Sequence, residues 1–405
     1  MIKTIKAPHI LLPNSDADMS KYAVIACDQY TSNLDYWDSL KAEIGNSVST
    51  FNMIYPEAYL ETTNNEEYIK GINNKIASYL KNGDLKDIGE CFILVERITS
   101  YGIRRLGLVL SIDLEDYSYE KGTKALIRAS EATIVERIPP RLKIRKDSPI
   151  ELPHVLVLFD DPRKEIVETL FSQRDKLEKV YDFELNKDGG HIRGYKVNNV
   201  NKIIEQFNNL FEKNGNGLLF IVGDGNHSLA TAKAHWDIVK QNLSEKEKEA
   251  HPARFALVEA NNLYDEGIIF EPIHRVLFNV DKDFKIELKK ACSGEFKSFM
   301  YTKDKGKEEL LLPQNAPMAY YQVQTFLDDY LSKHKDSKID FIHDEDELLA
   351  VANKNPGSVA IAMPALTKED LFDYLATGKV LPRKSFSMGH ASEKRYYLEA
   401  KKITF

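Results

Sequence analysis

The segment 218–236 constrains the fold of this chain more than any other part of its sequence. Residues 218–222 form a short apolar run, which is typical of a buried strand. After them, Leu229, Ala232 and Trp236 recur at helical spacing. The residues between these two patterns contain two glycines and three polar side chains. The segment therefore predicts a buried strand, a tight polar turn and a helix.

The turn and the start of this helix suit the binding of an anion. Glycine permits a positive φ and lets a ligand approach the backbone, and a helix N-terminus attracts negative charge. We therefore predict that phosphate binds here. The residues concerned are Asp224, Gly225, Asn226, His227 and Ser228. The alternative is an ordinary turn in which Asn226 or Ser228 only caps the helix. The segment is not a Walker loop, and it lacks the third glycine of the dinucleotide fingerprint.

Length and composition indicate a globular protein with more than one core. The 405 residues are enough for two or three domains, and 43% hydrophobic with 29% charged residues is a typical soluble balance. A net charge of −7 argues against a general nucleic-acid surface. We find no apolar run that predicts a signal peptide or a membrane span. Three distant cysteines argue against a disulfide framework or a zinc cluster, so we expect a cytoplasmic protein.

Strand and helix patterns alternate along the chain and predict an α+β fold. Around the turn, they predict a helix at 163–181, a hairpin between 183–185 and 191–197, and a helix at 200–213. In the last third, four more helices are predicted, near 284–292, 319–333, 345–352 and 368–375.

Arg128 and Glu131 begin a segment that is rich in cations. The cations that follow are Arg137, Arg141, Lys143, Arg145 and Lys146. A carboxylate close to several cations has a depressed pKa, and in its ionised form it is able to orient or deprotonate a hydroxyl nucleophile. The alternative is a surface helix turn, in which Arg128 and Glu131 form a pair that contributes a few tenths of a kcal/mol.

Two later segments carry further candidates for phosphate binding. His274 and Arg275 lie in an extended apolar segment, and a guanidinium matches the oxygens of phosphate or carboxylate. Lys384 and Ser385 follow a predicted helix end, and adjacent ammonium and hydroxyl groups suit phosphate oxygens. The alternatives are a strand with solvent-facing polar residues and an exposed turn, and the residues alone do not choose between them.

Taken together and in order, these segments resemble the bacterial and archaeal family called domain of unknown function 1015. The motifs that match are Glu115-Asp-Tyr-Ser, Arg128-x-x-Glu131-x-Thr133, Asp224-Gly-x-His227, His274-Arg275 and Lys384-Ser385. That family is similar to the free serine kinases, whose core belongs to the ParB/sulfiredoxin superfamily. The resemblance implies a ParB/sulfiredoxin-like core at 119–280, between an N-terminal α+β domain at 1–118 and a C-terminal α/β domain at 281–405.

The free serine kinases carry an Asp-Gly-His-His-Arg loop, an upstream catalytic glutamate and a late Pro-Lys-Thr-Thr-x-His segment. The resemblance implies a phosphotransferase that moves a phosphoryl group from ATP or ADP to the hydroxyl of free L-serine, giving O-phosphoserine. Glu131 matches the glutamate and would position or deprotonate the hydroxyl. Asp224 would bind Mg²⁺ or the serine ammonium, and His227 with the loop amides would hold phosphate. Lys384 and Arg275 would neutralise the developing charge.

The remaining candidates for phosphate or substrate binding are Gly225, Asn226, Ser228, Arg128, His274 and Ser385. The resemblance implies one site, in a cleft between the core and the last third. Asn226 and Ser228 depart from the kinase loop, where a histidine and an arginine stand. This departure keeps open a non-catalytic sensor that binds a nucleotide or a phosphoamino acid. Sulfiredoxin chemistry is disfavoured because no cysteine lies in the loop, and DNA binding because no helix-turn-helix pattern is seen.

Overall fold

The computed structural model describes residues 2–60, 65–133 and 138–405, so the predicted cation Arg137 lies outside the described residues. The chain divides into two units. Unit 1 comprises Met1–Ala129, Thr133–Ile268 and His390–Phe405, and unit 2 comprises Ser130–Ala132 and Ile269–Gly389. The predicted division at residues 118 and 280 stays a prediction.

The described residues contain both helices and strands, with a large mixed sheet, which confirms the predicted α+β class. The helices of unit 1 are α1 (Met19–Tyr22), α2 (Leu34–Ile44), α3 (Asn65–Asn82), α4 (Ile138–Lys146), α5 (Val167–Ser172), α6 (Val200–Asn214), α7 (Asn226–Val239) and α8 (Glu245–Ala250). Those of unit 2 are α9 (Phe284–Ala291), α10 (Ala316–Lys333), α11 (Glu345–Lys354) and α12 (Lys368–Ala376).

Strands are named in chain order across both units. The strands before residue 263 are β1 (Ile5–Lys6), β2 (His9–Pro13), β3 (Val24–Ile25), β4 (Leu85–Glu90), β5 (Phe92–Ile98), β6 (Arg104–Asp113), β7 (Tyr117–Ser118), β8 (Ile127–Ala129), β9 (Ile150–Glu151), β10 (Leu156–Phe159), β11 (Glu178–Leu185), β12 (Gly190–Val197), β13 (Phe220–Asp224) and β14 (Phe255–Asn262). The later strands are β15 (Phe270–Pro272), β16 (His274–Phe278), β17 (Phe296–Thr302), β18 (Gly306–Leu312), β19 (Lys338–Ile342), β20 (Val359–Ile361), β21 (Phe386–Met388), β22 (Tyr396–Tyr397) and β23 (Lys401–Lys402).

Unit 1 is built on a mixed sheet of ten strands. The order is β11-β12-β5-β6-β14-β10-β13-β8-β7, with β1 also paired to β6. β10 is parallel to β14 and antiparallel to β13, whereas β13 is parallel to β8. Long apolar runs such as β6 are buried along almost their whole length, as expected for strands covered on both faces. The sheet places β13 and the turn that follows it among buried neighbours.

The predicted strand, turn and helix at 218–236 are confirmed. β13 ends at Asp224, Gly225 adopts a left-handed φ of 84°, and α7 begins at Asn226. A Cβ on Gly225 would lie 3.1 Å from the Cα of Val155, so the turn needs glycine for both its conformation and its packing. α7 buries Leu229, Ala232 and Trp236, the residues whose spacing predicted it.

Unit 2 contains a five-stranded antiparallel sheet in the order β18-β17-β20-β16-β19. A separate ribbon pairs β15 with β21. The four helices predicted in the last third are confirmed as α9 to α12. Each buries the apolar face that its helical spacing indicated, for example Val323, Leu327 and Tyr330 of α10.

One predicted helix was wrong. Residues 163–181 contain the short α5 and a single 3₁₀ turn, and β11 already begins at Glu178. Pairing of β11 with β12 along eight residues outweighs the local helical pattern, because tertiary pairing overrides weak propensity. The predicted hairpin is therefore present but longer than expected. Within the described residues, no helix has both the length and the apolar character needed to cross a bilayer.

The conformation of Gly225 gives a stability prediction. Gly225→Ala should destabilise the protein by about 1–2 kcal/mol from the left-handed conformation alone, and by more because its Cβ would press against Val155. The matched control is Gly122→Ala, where φ is 79° and no atom lies within 4 Å of the added Cβ. Urea unfolding should show a larger loss for Gly225→Ala. Equal losses would mean that the contact with Val155 does not constrain the turn.

Candidate functional site

The carboxylate of Asp224, at the end of β13, forms an ion pair with Lys394. The Lys394 Nζ lies 3.2 Å from one carboxylate oxygen, and the backbone N–H of Gly225 donates to the other at 3.0 Å. The Lys394 side chain is 10% exposed and that of Asp224 is 22% exposed. Asp224 therefore lies next to the start of α7, and the ammonium of Lys394 balances the charge of its carboxylate.

Two buried arginines fix the backbone that carries Lys394. Arg97 donates to the carbonyls of Ser392 and Lys394, at 2.7 and 2.6 Å, and Arg105 donates to the carbonyl of Glu393 at 3.0 Å. Arg97 and Arg105 lie opposite each other on β5 and β6. Burial, together with the charge of Arg105, lowers the pKa of Arg97 to about 9. The sheet thus holds the 392–394 segment through hydrogen bonds to its carbonyls.

A second ion pair joins Asp28 to His154. The His154 Nε2 lies 3.5 Å from Asp28, and its Nδ1 lies 2.8 Å from the Tyr397 hydroxyl. That hydroxyl also lies 3.1 Å from the Cys27 Sγ. His154 immediately precedes Val155, which packs against Gly225. The Asp28 pair therefore belongs to the same region of unit 1 as the Asp224 turn.

Opposite charges favour the ionised form of both members of this pair. Burial by itself lowers the pKa of His154, but the Asp28 carboxylate, helped by Asp224 and Glu57, raises it above its usual value. Burial by itself raises the pKa of Asp28, but the charges of His154 and Lys394 hold it well below its usual range. We call Asp28, His154, Asp224 and Lys394 the four-charge cluster. Within it, carboxylates and cations alternate.

The other predicted residues of unit 1 lie close by in the fold. Asn226, His227 and Ser228 form the half-buried first turn of α7. Arg128 lies on β8, directly beside β13, and its guanidinium donates to the carbonyls of Ala125 and Gly217 at 2.8 and 3.2 Å. Burial lowers the pKa of Arg128. These contacts tie Arg128 to the loops at the edge of the strand pair.

In unit 2, the carboxylate of Glu131 accepts hydrogen bonds from three successive backbone N–H groups. Those of Lys384 and Ser385 lie at 3.0 and 2.9 Å, and that of Phe386 lies at 3.4 Å. Burial raises the pKa of Glu131, and the three donors oppose that rise. Successive amides around a left-handed residue form an anion-binding nest, and Lys384 has a φ of 58°. The structure thus brings together Glu131, Lys384 and Ser385.

The side chains of Lys384 and Ser385 differ in their access to solvent. Lys384 is exposed. Ser385 is fully buried, and its hydroxyl donates to the carbonyl of Pro382 at 2.7 Å. An exposed ammonium is able to meet a ligand, whereas the hydroxyl of Ser385 stabilises the turn.

His274 and Arg275 are adjacent on β16, so they face opposite sides of the sheet. The His274 Nδ1 accepts from the backbone N–H of Met363 at 3.0 Å. Arg275 is fully buried; its guanidinium lies 3.4 Å from the Gln324 amide oxygen and stacks over the ring of Tyr320. Burial lowers the pKa of Arg275 to about 10, and the Glu131 charge opposes this. Arg275 therefore acts on Glu131 through its charge.

Sequence reasoning missed most of the four-charge cluster. Asp28 follows a short apolar strand, and His154 precedes another, and both positions were signals that could have been used. Lys394 lies in an ordinary charged run, 170 residues after Asp224 in the numbering. Nothing local marks it, because only the fold brings it to the turn.

Mg²⁺ does not fit the residues around Asp224. One Asp224 oxygen pairs with an ammonium and the other accepts a backbone N–H, and cation sites of this kind need several oxygen ligands. In residues 2–60, 65–133 and 138–405, no group of three or more acidic, histidine or cysteine side chains is arranged to hold a metal. We therefore derive no step through a metal bound by Asp224.

The family of this chain follows from a comparison with family models. The model described as "Protein of unknown function (DUF1015)" matches residues 10–402. The chain belongs to this family. A separate comparison with curated proteins finds no match to this DUF1015 protein.

Solved structures similar to this DUF1015 protein share little sequence with it. A conserved hypothetical protein from Pyrococcus furiosus is 11% identical with a TM-score of 0.34, and covers 73% of this chain and 95% of its own. A free serine kinase in complex with AMP is 11% identical with a TM-score of 0.38, at 73% and 91% coverage. SbnI with a C-terminal truncation, from Staphylococcus aureus, has the same identity and TM-score, at 71% and 85% coverage.

The Asp28–His154 pair predicts a pH-dependent stability for this DUF1015 protein. Because the pKa of His154 is raised on folding, its contribution is complete below the unfolded value of about 6.5 and is lost as the pH rises through the folded value. Asp28→Asn should therefore destabilise the protein most near about pH 6 and less near about pH 9. Urea unfolding of both proteins across this range measures the difference.

The control for this prediction is the exposed pair of His9 and Asp87, 3.1 Å apart. Asp87→Asn should change stability little at any pH, because exposed ion pairs contribute little. A destabilisation by Asp28→Asn that is the same at all pH values would contradict the charged pair.

Proposed function

We propose that this DUF1015 protein transfers a phosphoryl group from ATP or ADP to the hydroxyl of free L-serine, giving O-phosphoserine. The observation that carries the proposal is the turn at Gly225. It places the Asp224 carboxylate, paired with the Lys394 ammonium, at the positive end of the 14-residue helix α7. That helix end attracts phosphate, and the motif resemblance to the free serine kinases supplies the reaction. The ParB/sulfiredoxin-like core at 119–280 and a cytoplasmic location are parts of the same proposal.

In the proposed reaction, the serine hydroxyl oxygen attacks the terminal phosphorus and the bond to the nucleotide oxygen breaks. ADP or AMP leaves, and the hydroxyl proton goes to Glu131. A carboxyl whose pKa is raised by burial suits this role, because a base works best with a pKa near the working pH. Three backbone donors use three of about four acceptor positions of the carboxylate, which leaves one for the proton.

The other predicted residues take supporting roles. The amides after Gly225, with Asn226, His227 and Ser228, hold phosphate. Lys384 offsets the charge on the transferred group by contact, and the buried Arg275 does so through its field. Arg128, His274 and Ser385 position these segments, since each binds backbone groups. Magnesium enters this proposal only as the counterion that arrives with the nucleotide substrate.

A binding function without turnover is the second candidate. The engagement of both Glu131 oxygens by backbone N–H groups favours it, because those donors stabilise the carboxylate and weaken it as a base. In this alternative, the same residues sense a nucleotide or a phosphoamino acid.

Incubation with L-serine, Mg²⁺ and either nucleotide, followed by mass detection of phosphoserine, separates the two candidates. The proposal expects phosphoserine with at least one donor. Tight binding of nucleotide or phosphoserine without product would support the sensor.

Glu131→Gln should slow phosphoserine formation by about 10²–10⁴-fold, the usual contribution of a general base. Nucleotide binding should change little, because the amide oxygen still accepts from the N–H groups of Ser385 and Phe386 and only that of Lys384 loses its acceptor. Initial rates and calorimetric titration of ADP measure the two effects. Equal losses of binding and turnover would assign Glu131 to the structure alone, and an unchanged rate would remove it from the mechanism.

Lys384→Ala should weaken phosphoserine binding by about tenfold to hundredfold, because a hydrogen bond to a charged group contributes roughly 1.5–3 kcal/mol. Binding of serine should change far less, since its neutral hydroxyl draws little from an ammonium. The control is Lys379→Ala, another exposed lysine five positions earlier. Identical phosphoserine affinities in wild type and Lys384→Ala would take this segment out of the site.

A further inference from the structure

The four-charge cluster contains side chains of both signs of charge, and some of them are partly exposed to solvent. The side chains of Asp28 and Asp224 are 31% and 22% exposed, whereas those of His154 and Lys394 are 9% and 10% exposed. The two carboxylates are therefore partly exposed to solvent, whereas the two basic side chains are mostly buried.

Each carboxylate keeps part of its capacity to accept hydrogen bonds. The described contacts of Asp28 are with the Gln29 amide at 2.9 Å and with His154, and those of Asp224 are with Gly225 and Lys394. Two contacts use about half of the acceptor positions of a carboxylate. Each group is thus able to accept a further donor such as an ammonium.

The balance of charge in the cluster indicates the class of ligand. Each of the two carboxylates is paired with a basic residue, Lys394 or His154, and the neighbouring Glu57 is paired with Arg141, so neither sign of charge is in large excess. A site that binds a nucleotide phosphate has an excess of cationic side chains, and a site that binds magnesium has an excess of carboxylates. A zwitterion, with one ammonium and one carboxylate, matches alternating charges of both signs.

We propose that the four-charge cluster is the subsite that recognises the head group of a free α-amino acid. Asp28 and Asp224 bind the α-ammonium, and Lys394 binds the α-carboxylate. His154 is a positioning residue, because its two ring nitrogens are engaged by Asp28 and Tyr397. Naming serine as that amino acid rests on the proposed function. A residue within a peptide lacks both free charges, so the subsite selects free amino acids.

Calorimetry with three related compounds tests this subsite. L-Serine should bind more tightly than 3-hydroxypropanoate, which lacks the ammonium, and than ethanolamine, which lacks the carboxylate. Asp28→Asn and Lys394→Met should each weaken L-serine binding by about tenfold to hundredfold, and Lys394→Arg should recover part of the loss. ADP binding should stay within a small factor of wild type in Asp28→Asn, because Asp28 lies outside the turn at Gly225 that is proposed to hold phosphate.

The matched control is Lys233→Met. Lys233 pairs with Asp237 at 3.0 Å on the same helix, and its side chain is 17% exposed. Serine affinity should be unchanged in this variant. Thermal unfolding followed by circular dichroism identifies any variant that has lost its fold, and Lys394→Arg keeps the test available if Lys394→Met does not fold.

Three outcomes would overturn the proposal. They are unchanged serine affinity in both Asp28→Asn and Lys394→Met, equal affinity for all three compounds, and a loss of ADP affinity in Asp28→Asn that is as large as its loss of serine affinity. These outcomes differ from a failure of the proposed function. If serine binds in a way that depends on the cluster but no phosphoserine forms, only the transfer reaction is contradicted. If phosphoserine forms and Asp28→Asn leaves the KM for serine unchanged, only this subsite is contradicted.

Discussion

The ion pair between Asp224 and Lys394 is the interaction on which the account of unit 1 depends. It joins the end of β13 to the C-terminal segment, and Arg97 and Arg105 hold that segment through its carbonyls. Without the lysine, a partly buried carboxylate would lie at the start of α7 without a balancing charge, which is costly at low dielectric. With it, the Asp224 carboxylate is paired with a cation next to a helix end that attracts anions.

Unit 2 holds its own functional carboxylate in a different way. Glu131 relies on backbone N–H groups of residues 384–386 rather than on an ion pair. Neutral donors oppose the effect of burial on the pKa of Glu131 only in part, so burial still raises that pKa. The two carboxylates are thus prepared for different tasks. Asp224 is paired with a cation, which suits binding, whereas the raised pKa of Glu131 favours uptake of a proton.

Local patterns in the sequence predicted much of the fold. The turn at Gly225 and the four helices of the last third depend on spacing within a few residues, and these were found. The predicted helix at 163–181 failed because the pairing of β11 with β12 is set by a partner strand, which helical spacing does not report. Likewise, no local signal marked Lys394, since its role comes from Arg97 and Arg105 on distant strands. Asp28 and His154 lay beside recognisable strands, and attention to polar residues at strand ends would have found them.

The most direct test of the account is the titration of the His154 imidazole by NMR, with and without L-serine. The chain has ten histidines, so the spectrum of His154→Gln assigns the signal. Asp28 raises the pKa of His154, and an ammonium bound to Asp28 would offset part of that negative charge. Binding of serine should therefore lower the pKa of His154. An unchanged pKa with serine bound would contradict it.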